Sequence, residues 1–197
     1  MSAAAAPPAR PRRTILFTGH MVDAADRSTP RFPAAHVDAA ARRIAAALDD
    51  IGAGAEDLAL TQGAAGGDLL FAEACLARGV PLRLLLPLAQ SEFVAASLLP
   101  VVDGAAWHAR FRAVVDRLGE PPREAPVVLG PLAANDDAFV RANLWLLESA
   151  LAFGADRLVC ICLWDGSGGD GPGGTRHLVD AVRAAGGRVV RIDSNTL

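Results

Sequence analysis

Short apolar runs alternate along this chain with longer segments in which apolar residues recur every three or four positions. This alternation is typical of βαβ units, in which helices join parallel strands and cover both faces of the sheet. The pattern predicts a three-layer, doubly wound, Rossmann-like α/β fold with a mostly parallel sheet of about six strands. The predicted strands are 14–18, 58–61, 82–86, 126–129, 157–164 and 188–192.

Helix boundaries are predicted from residues that cap well and from glycines that end a helix. We expect Ser91 to cap one helix, Asn135 or Asp136 to cap a long later helix, and Gly52 to end the first helix in a left-handed conformation. The inward face of the long helix is expected to carry Phe139, Val140, Leu144, Leu147 and Leu151. With no internal repeat, the chain is predicted to be one domain, 14–197, after a disordered tail, 1–13.

The charge composition argues against several classes of protein. The net charge is −3, and the 19 basic residues, all of them arginine, are scattered among 22 acidic ones. Proteins that bind nucleic acid usually carry a basic stripe, so no nucleic-acid partner is expected. Because the chain has no lysine, a P-loop NTPase and Schiff-base catalysis are both excluded.

Cysteine and histidine usage bears on compartment and cofactors. The three cysteines form an odd set without a secretory pattern, so we expect reduced thiols and a cytoplasmic location. The four histidines lack metal-ligand spacing, and no metal or cofactor is expected. No apolar run approaches the roughly 18 residues of a membrane span, so no membrane partner is predicted.

Three long loops rich in small residues follow predicted strands, at the sheet edge where α/β proteins bind ligands. They are 18–33, 62–68 and 165–175, and the last two run into predicted helix N-termini, where backbone N–H groups attract anions. The alternative to ligand binding is that these glycines only make tight turns between strands and helices. Trp164 either stacks on a base or packs under its loop. The predicted ligand-binding residues are Gly19, His20, Arg27, Arg31, Gly63, Ala64, Gly66, Gly67, Asp68, Arg141, Asn143, Trp164, Asp165, Gly166, Gly171, Gly173, Gly174 and Thr175.

Two familiar motifs do not fit this chain. Residues 166–171 match G-x-G-x-x-G, and Asp193 stands near the acidic position of a dinucleotide site. However, Pro172 and two further glycines separate the third glycine from the helix, so it cannot pack the helix against the strand. No G-x-S-x-G elbow is present, which argues against a serine hydrolase.

The three loops together resemble the SLOG superfamily, which includes Lonely-guy-type phosphoribohydrolases and the Rossmann-like domain of the DNA-processing protein of transformation. The resemblance rests on 18–20, 63–68 and 171–175, with Arg-Phe-Pro at 31–33 and Trp-Asp-Gly at 164–166. It is nearest to bacterial SLOG-like domains of signalling and conflict systems. It implies a nucleotide-derived ligand and makes a homodimer through helix 136–153 plausible.

One departure from the Lonely-guy pattern bears on activity. Those enzymes carry a glutamate three residues after the threonine of their glycine motif, whereas here Leu178 holds that position and Asp180 comes five residues on. Cleavage of an N-glycosidic bond needs a carboxylate beside the developing ribosyl cation. Asp23, Asp68 and Asp165 are the candidates to replace it. The sequence therefore leaves two hypotheses, a nucleotide sensor or binding domain and an N-glycosidic hydrolase acting on a nucleoside monophosphate or an NAD-derived or ADP-ribose-like compound.

Overall fold

A six-stranded sheet, parallel throughout, forms the centre of the molecule. The computed structural model describes residues 10–167 and 173–197. The strands lie in the order β4-β3-β2-β1-β5-β6, and every pairing is parallel. This confirms the predicted Rossmann-like α/β class. The strands are β1 (Thr14–Gly19), β2 (Leu58–Thr61), β3 (Leu82–Leu86), β4 (Arg123–Glu124), β5 (Leu158–Leu163) and β6 (Arg188–Ile192).

Helices cover both faces of the sheet. They are α1 (Val37–Asp50), α2 (Gly67–Ala77), α3 (Gln90–Ser97), α4 (Gly104–Val115), α5 (Ala125–Val128), α6 (Ala138–Leu151) and α7 (Thr175–Ala184). Side chains alternate along a strand, so Ile15 and Phe17 of β1 pack with α1, α2, α3 and α4, while Leu16 packs with α6 and α7. No helix in the described part of the chain is long and apolar enough to cross a membrane.

The prediction of a strand at 126–129 is wrong. The structure has a two-residue strand just before it, in which Glu124 pairs with Leu86, and then the short helix α5. Pro126 suits the first turn of a helix, where a missing N–H costs nothing. This element lies at the sheet edge, and Val127 is 78% exposed. The apolar residues of 126–129 therefore did not indicate a buried strand.

Two predicted helix caps are also wrong. Asp137, not Asn135 or Asp136, caps α6 by accepting the N–H groups of Phe139 and Val140 at 2.8 and 2.9 Å. Ser91 lies inside α3, and the N-cap residue of this helix, Ala89, makes no side-chain hydrogen bond.

The inward face of α6 differs from the predicted one. Leu144 is 44% exposed, and Phe139 and Val140 are only partly buried. The buried side chains are Ala142, Asn143, Trp145, Leu146, Leu147 and Ala150. Several large apolar residues in this region fit either of two faces, so periodicity alone did not select the right one. Elsewhere, Gly52 has the left-handed φ of +60° predicted for the end of α1.

The folded part begins before β1. Arg12 and Arg13, which the sequence analysis assigned to the tail, each place Nη2 3.0 Å from Oδ2 of Asp57. The carboxylate of Asp57 is fully buried, so the two guanidinium groups supply the partners that a buried charge needs.

The three cysteines, Cys75, Cys160 and Cys162, are buried free thiols. Burial raises the pKa of Cys162 to about 11, and it raises the pKa of the other two further. Thiols in such surroundings are packing residues with little thiolate character.

The strand order creates a switch point beside β1. The chain proceeds outward from β1 through β2 and β3 to β4, then returns to the other side of β1 with β5. The connections leaving β1 and β5 therefore diverge to opposite faces, and the crevice between them is where open α/β sheets bind ligands.

Candidate functional site

A cavity of about 390 Å³ lies at this switch point. Its walls come from the loops that follow β1 and β2, the segment 97–101 after α3, the start of α6, and residues 173–175 at the start of α7. A volume of this size falls within the range of small-molecule sites, roughly 300–1,000 Å³.

Many of the residues predicted to bind ligand lie around this cavity, although they are spread over 157 positions of sequence from Gly19 to Thr175. Those in its wall are Gly19, His20, Arg27, Arg31, Ala64, Asp68, Asn143, Trp164, Gly173, Gly174 and Thr175. Among the described residues, six predicted ligand-binding residues lie outside the wall: Gly63, Gly66, Gly67, Arg141, Asp165 and Gly166. The catalytic candidate Asp23 also lies outside it. Gly171 lies outside the described residues.

Gly66 serves loop packing. Its φ is +112°, and a Cβ there would lie 2.8 Å from the backbone N of Val22 and 2.9 Å from the carbonyl O of His20. Met21 forms an isolated antiparallel bridge with Gly66, so the loop after β1 lies directly on the loop after β2. The close backbone approach that the glycine permits is therefore to another loop of the protein.

Gly173 both lines the cavity and packs closely against backbone. It lines the cavity, and its φ of +84° is one that L side chains rarely adopt. A Cβ there would lie 2.8 Å from the backbone N of Val140 and 2.9 Å from the carbonyl carbon of Phe139. Gly173 is thus held against the first turn of α6.

Asn143 joins two walls of the cavity. Its Nδ2 donates to the carbonyl O of Gly173 at 2.5 Å, and its Oδ1 accepts from Nε2 of Gln62 at 3.0 Å. The side chain is buried, with 3% of the residue exposed. Asn143 therefore positions the loops after β2 and before α7 relative to each other.

Asp23 organises the first loop. Its carboxylate accepts the N–H groups of Arg31 and Phe32 at 3.0 Å and lies 3.3 Å from Nε of Arg27. These contacts hold the backbone that carries the two cavity arginines. Asp23 is thus placed to support binding residues, and its carboxylate lies outside the cavity wall.

Arg141 is not part of the cavity wall. Its Nη1 donates to the carbonyl oxygens of Gly130 and Pro131, at 3.0 and 3.2 Å. Of the three arginines predicted to bind ligand, Arg27 and Arg31 therefore supply the positive charge in the cavity wall.

His20 and Asp165 meet across the switch point. The backbone N–H of Asp165 donates to Nε2 of His20 at 3.2 Å, which requires that nitrogen to be unprotonated. Oδ1 of Asp165 lies 3.4 Å from the same nitrogen and favours the protonated form. Burial, followed by the charge of Arg31, outweighs this carboxylate and lowers the pKa of His20 below its usual value. The imidazole is therefore neutral at pH 7, with its proton on Nδ1.

The Asp165 carboxylate caps its own loop. It accepts from the backbone N–H and the hydroxyl of Ser167, at 2.8 and 2.7 Å. Burial opposes ionisation, but the bonds from Ser167 and the proximity of His20 outweigh it and lower the pKa of Asp165. It is an ionised group that stabilises the loop after β5.

Asp68 is the one of the three candidate aspartates that lies in the cavity wall. The residue is 7% exposed, and its Oδ2 accepts the N–H groups of Gly63 and Ala64 at 3.1 and 3.3 Å. Burial raises the pKa of this carboxyl to about 6, against the opposing effect of Ala64, Thr61, Gly63 and Gln62. The two N–H groups expected to hold a phosphate are thus already bound to a carboxylate of the protein.

Trp164 lies at the cavity and also supports its own loop, and its stacking on a base stays a prediction. It lines the cavity, while its Nε1 donates to the carbonyl O of Ser167 at 2.8 Å and so supports the loop above it. The guanidinium of Arg191 lies 5.8 Å from the ring centroid. The ring is therefore held at the cavity edge by contacts from two sides.

Sequence reasoning missed several residues of the cavity wall. The segment 97–101 reaches the cavity because the carbonyl O of Ser97 accepts the N–H of Ala65 at 2.9 Å and the N–H of Val102 donates to the carbonyl O of Asp23 at 3.2 Å. No local pattern signals these contacts. Phe139 and Gln62 also line the cavity, and the sequence analysis had assigned Phe139 to the core.

The described residues, 10–167 and 173–197, contain no group of three or more histidine, cysteine or acidic side chains able to hold a metal ion. Comparison with protein-family models and with curated protein sequences gives no match.

Proposed function

We propose that this protein binds a small nucleotide-derived ligand, bearing at least one phosphate, in the cavity at the switch point. The observation that carries the proposal is the presence of Arg27 and Arg31 in the same cavity wall as Thr175, the first residue of α7, and Gly174 before it. Guanidinium groups and a helix N-terminus both favour a phosphate dianion.

The remaining walls suit the organic part of such a ligand. Trp164, Phe139, Leu146 and Val22 offer apolar surface, and aromatic faces accept a stacked base. A ligand with its phosphate near the arginines would place its base or sugar against this apolar surface.

Membership of the SLOG superfamily is part of the proposal. The glycine loops on which the resemblance rests follow β1 and β2 and precede α7, and residues of all three line the cavity. A role as a sensor or ligand-binding domain agrees with the absence, at position 178, of the glutamate on which Lonely-guy enzymes depend.

Thermal unfolding with a ligand panel tests this function. The panel contains nucleoside monophosphates, the matching nucleosides, ribose 5-phosphate and inorganic phosphate. At about 100 times its dissociation constant a ligand stabilises the native state by about 2.7 kcal/mol, which corresponds to a rise of about 5–10 °C in Tm for a domain of this size. Monophosphates should raise Tm more than their nucleosides do. A panel in which no nucleotide changes Tm would contradict the proposal.

An N-glycosidic hydrolase is the second candidate, and Asp68 favours it. It is the carboxylate that the cavity wall offers to a developing ribosyl cation, whereas Asp23 and Asp165 hold loops. Incubation with nucleoside monophosphates and NAD, followed by chromatography for free base, tests turnover. Base released by the wild type and not by Asp68→Ala would establish the enzyme, and no release from any substrate would leave binding as the function.

A homodimer stays a prediction of the sequence resemblance. Light scattering of the full chain measures the mass directly. A mass near 20.4 kDa, that of one chain, would contradict it.

A further inference from the structure

Asp68 has an unusual place in the cavity, and its position bears on which ligand the site takes, given the proposed function. Its side chain is more than nine-tenths buried and yet lies in the cavity wall. It follows the first residue of α2, so the fold places its carboxylate back over the loop from which the helix starts.

One carboxylate oxygen is committed to the protein. Oδ2 accepts both the Gly63 and the Ala64 N–H, which fixes the orientation of the side chain. A phosphate placed in this loop would find these N–H groups occupied and a negative charge beside it, which is repulsive. The anionic end of a ligand is thus directed to the arginine side of the cavity, and a different part of it meets Asp68.

We propose that Asp68 is a specificity-determining residue whose second carboxylate oxygen, Oδ1, accepts a hydrogen bond from an N–H or O–H donor on the non-phosphate part of the ligand. Two ligand groups supply this chemistry, an exocyclic amine of the base and a hydroxyl of the sugar. A ligand that presents an acceptor instead cannot donate to Oδ1, and a lost hydrogen bond to a charged group weakens binding by about tenfold or more.

Asp68→Asn is a sharp test because the amide can keep the loop contact. Its carbonyl oxygen can still accept the N–H groups of Gly63 and Ala64, while its NH₂ group replaces Oδ1. The substitution therefore turns an acceptor into a donor at nearly constant shape. Asp103→Asn is the matched control, since Asp103 is exposed, lies outside the cavity wall and has a left-handed conformation that asparagine also adopts.

Calorimetry on the full chain measures three comparisons. The first compares AMP with IMP and CMP with UMP, pairs in which an amine is exchanged for a carbonyl. The second compares AMP with its 2′-deoxy and 3′-deoxy forms, each of which lacks a sugar hydroxyl. The third uses ribose 5-phosphate, which reports binding without a base. We expect the wild type and Asp103→Asn to prefer the donor in one class of comparison by about tenfold or more, and Asp68→Asn to reduce that preference to about twofold or reverse it. Binding of a ligand that lacks the discriminating donor should change by less than about threefold.

Three results would overturn the proposal. Wild-type protein that binds the panel without a preference in any comparison leaves Asp68 no role in selection, whether or not the variant folds. Equal loss of affinity for every ligand in a folded Asp68→Asn, ribose 5-phosphate included, would make Asp68 only a brace for its loop. If no panel member binds the wild type, the proposed function itself fails, and this result is distinct from binding without preference.

Discussion

The backbone N–H of Asp165 donates to Nε2 of His20 at 3.2 Å, across the ends of the two strands that flank the switch point. The neighbouring N–H of His20 donates to the carbonyl O of Leu163 at 3.0 Å, so the ladder between β1 and β5 continues into the loops. The imidazole is thereby held at the cavity as a neutral acceptor. The loops after β1 and β5 are therefore joined by one hydrogen bond that depends on the protonation state of a single side chain.

Acidification should weaken this contact. The pKa of His20 is lowered in the fold by burial and by Arg31 and, to a smaller degree, by Arg27, with Asp165 opposing them. A histidine with a lowered native pKa stabilises the fold above its unfolded pKa of about 6.5, and that contribution is lost as pH falls through the native value. We expect NMR titration of the imidazole to give a midpoint below 6.5.

Denaturation at pH 7.5 and pH 5 provides the second measurement for His20. His20→Gln, whose side-chain oxygen can accept the N–H of Asp165, should lose less stability between these pH values than the wild type does. His108→Gln, on α4 and outside the cavity, should behave as the wild type does. A midpoint at or above 6.5 would contradict the assignment of a neutral acceptor.

Much of the fold was predictable because the buried strands read as continuous apolar runs. The bounds of β2, β3 and β6 match the predicted ones, β1 is one residue longer at its C-terminal end, and β5 is one residue shorter at each end. The edge strand β4 was not predicted because Arg123 and Glu124 form no apolar run. They form a strand through pairing with the neighbouring strand β3.

The site was predictable to the extent that it follows from strand ends. His20, Arg31 and Trp164 come directly or soon after β1 and β5, and parallel topology brings such residues to one edge. Phe139 reaches the cavity through tertiary packing against Gly173, which no local pattern encodes. Nor does the glycine pattern of 62–68 reveal that the Asp68 carboxylate binds the N–H groups of its own loop.

Substitution of Gly66 should destabilise the fold before it affects a ligand. Gly66→Ala forces a side chain into a left-handed conformation at φ +112° and places its Cβ 2.8 Å from the backbone N of Val22. Strain and overpacking together should cost about 2–4 kcal/mol. Gly130→Ala is the control, because its φ of +80° carries the strain but nothing lies within 4 Å of its Cβ. Urea denaturation should show the larger loss for Gly66→Ala, and equal losses would refute the close-packing argument.

The arginines should divide into those that meet the ligand and one that does not. Arg31→Ala removes a guanidinium from the cavity wall and should lower affinity for a nucleoside monophosphate by about tenfold or more, since charge-assisted bonds to phosphate are strong. Arg141→Ala removes an arginine whose Nη1 is bound to Gly130 and Pro131, and it should leave affinity within about twofold. The affinities are measured by calorimetry at fixed salt, with the nucleoside as a ligand whose binding the Arg31 variant should barely change. Equal losses in both variants would refute this placement of the phosphate.

Ionisation of Asp68 should lower the stability of the ligand-free protein as pH rises towards neutrality. Its native pKa of about 6 exceeds the ordinary aspartate pKa of 3.8, so the native state binds more protons than the unfolded state between these values. Stability then falls as pH rises through this window, by about 3 kcal/mol at the conversion of about 1.36 kcal/mol per pKa unit. The difference in unfolding free energy between Asp68→Asn and the wild type should therefore increase by about that amount from pH 3.5 to pH 7. Urea denaturation across this range measures it, with Asp103→Asn as the control that removes an exposed carboxylate. A pH-independent difference would mean that Asp68 titrates normally and that its carboxylate is well solvated in the native state.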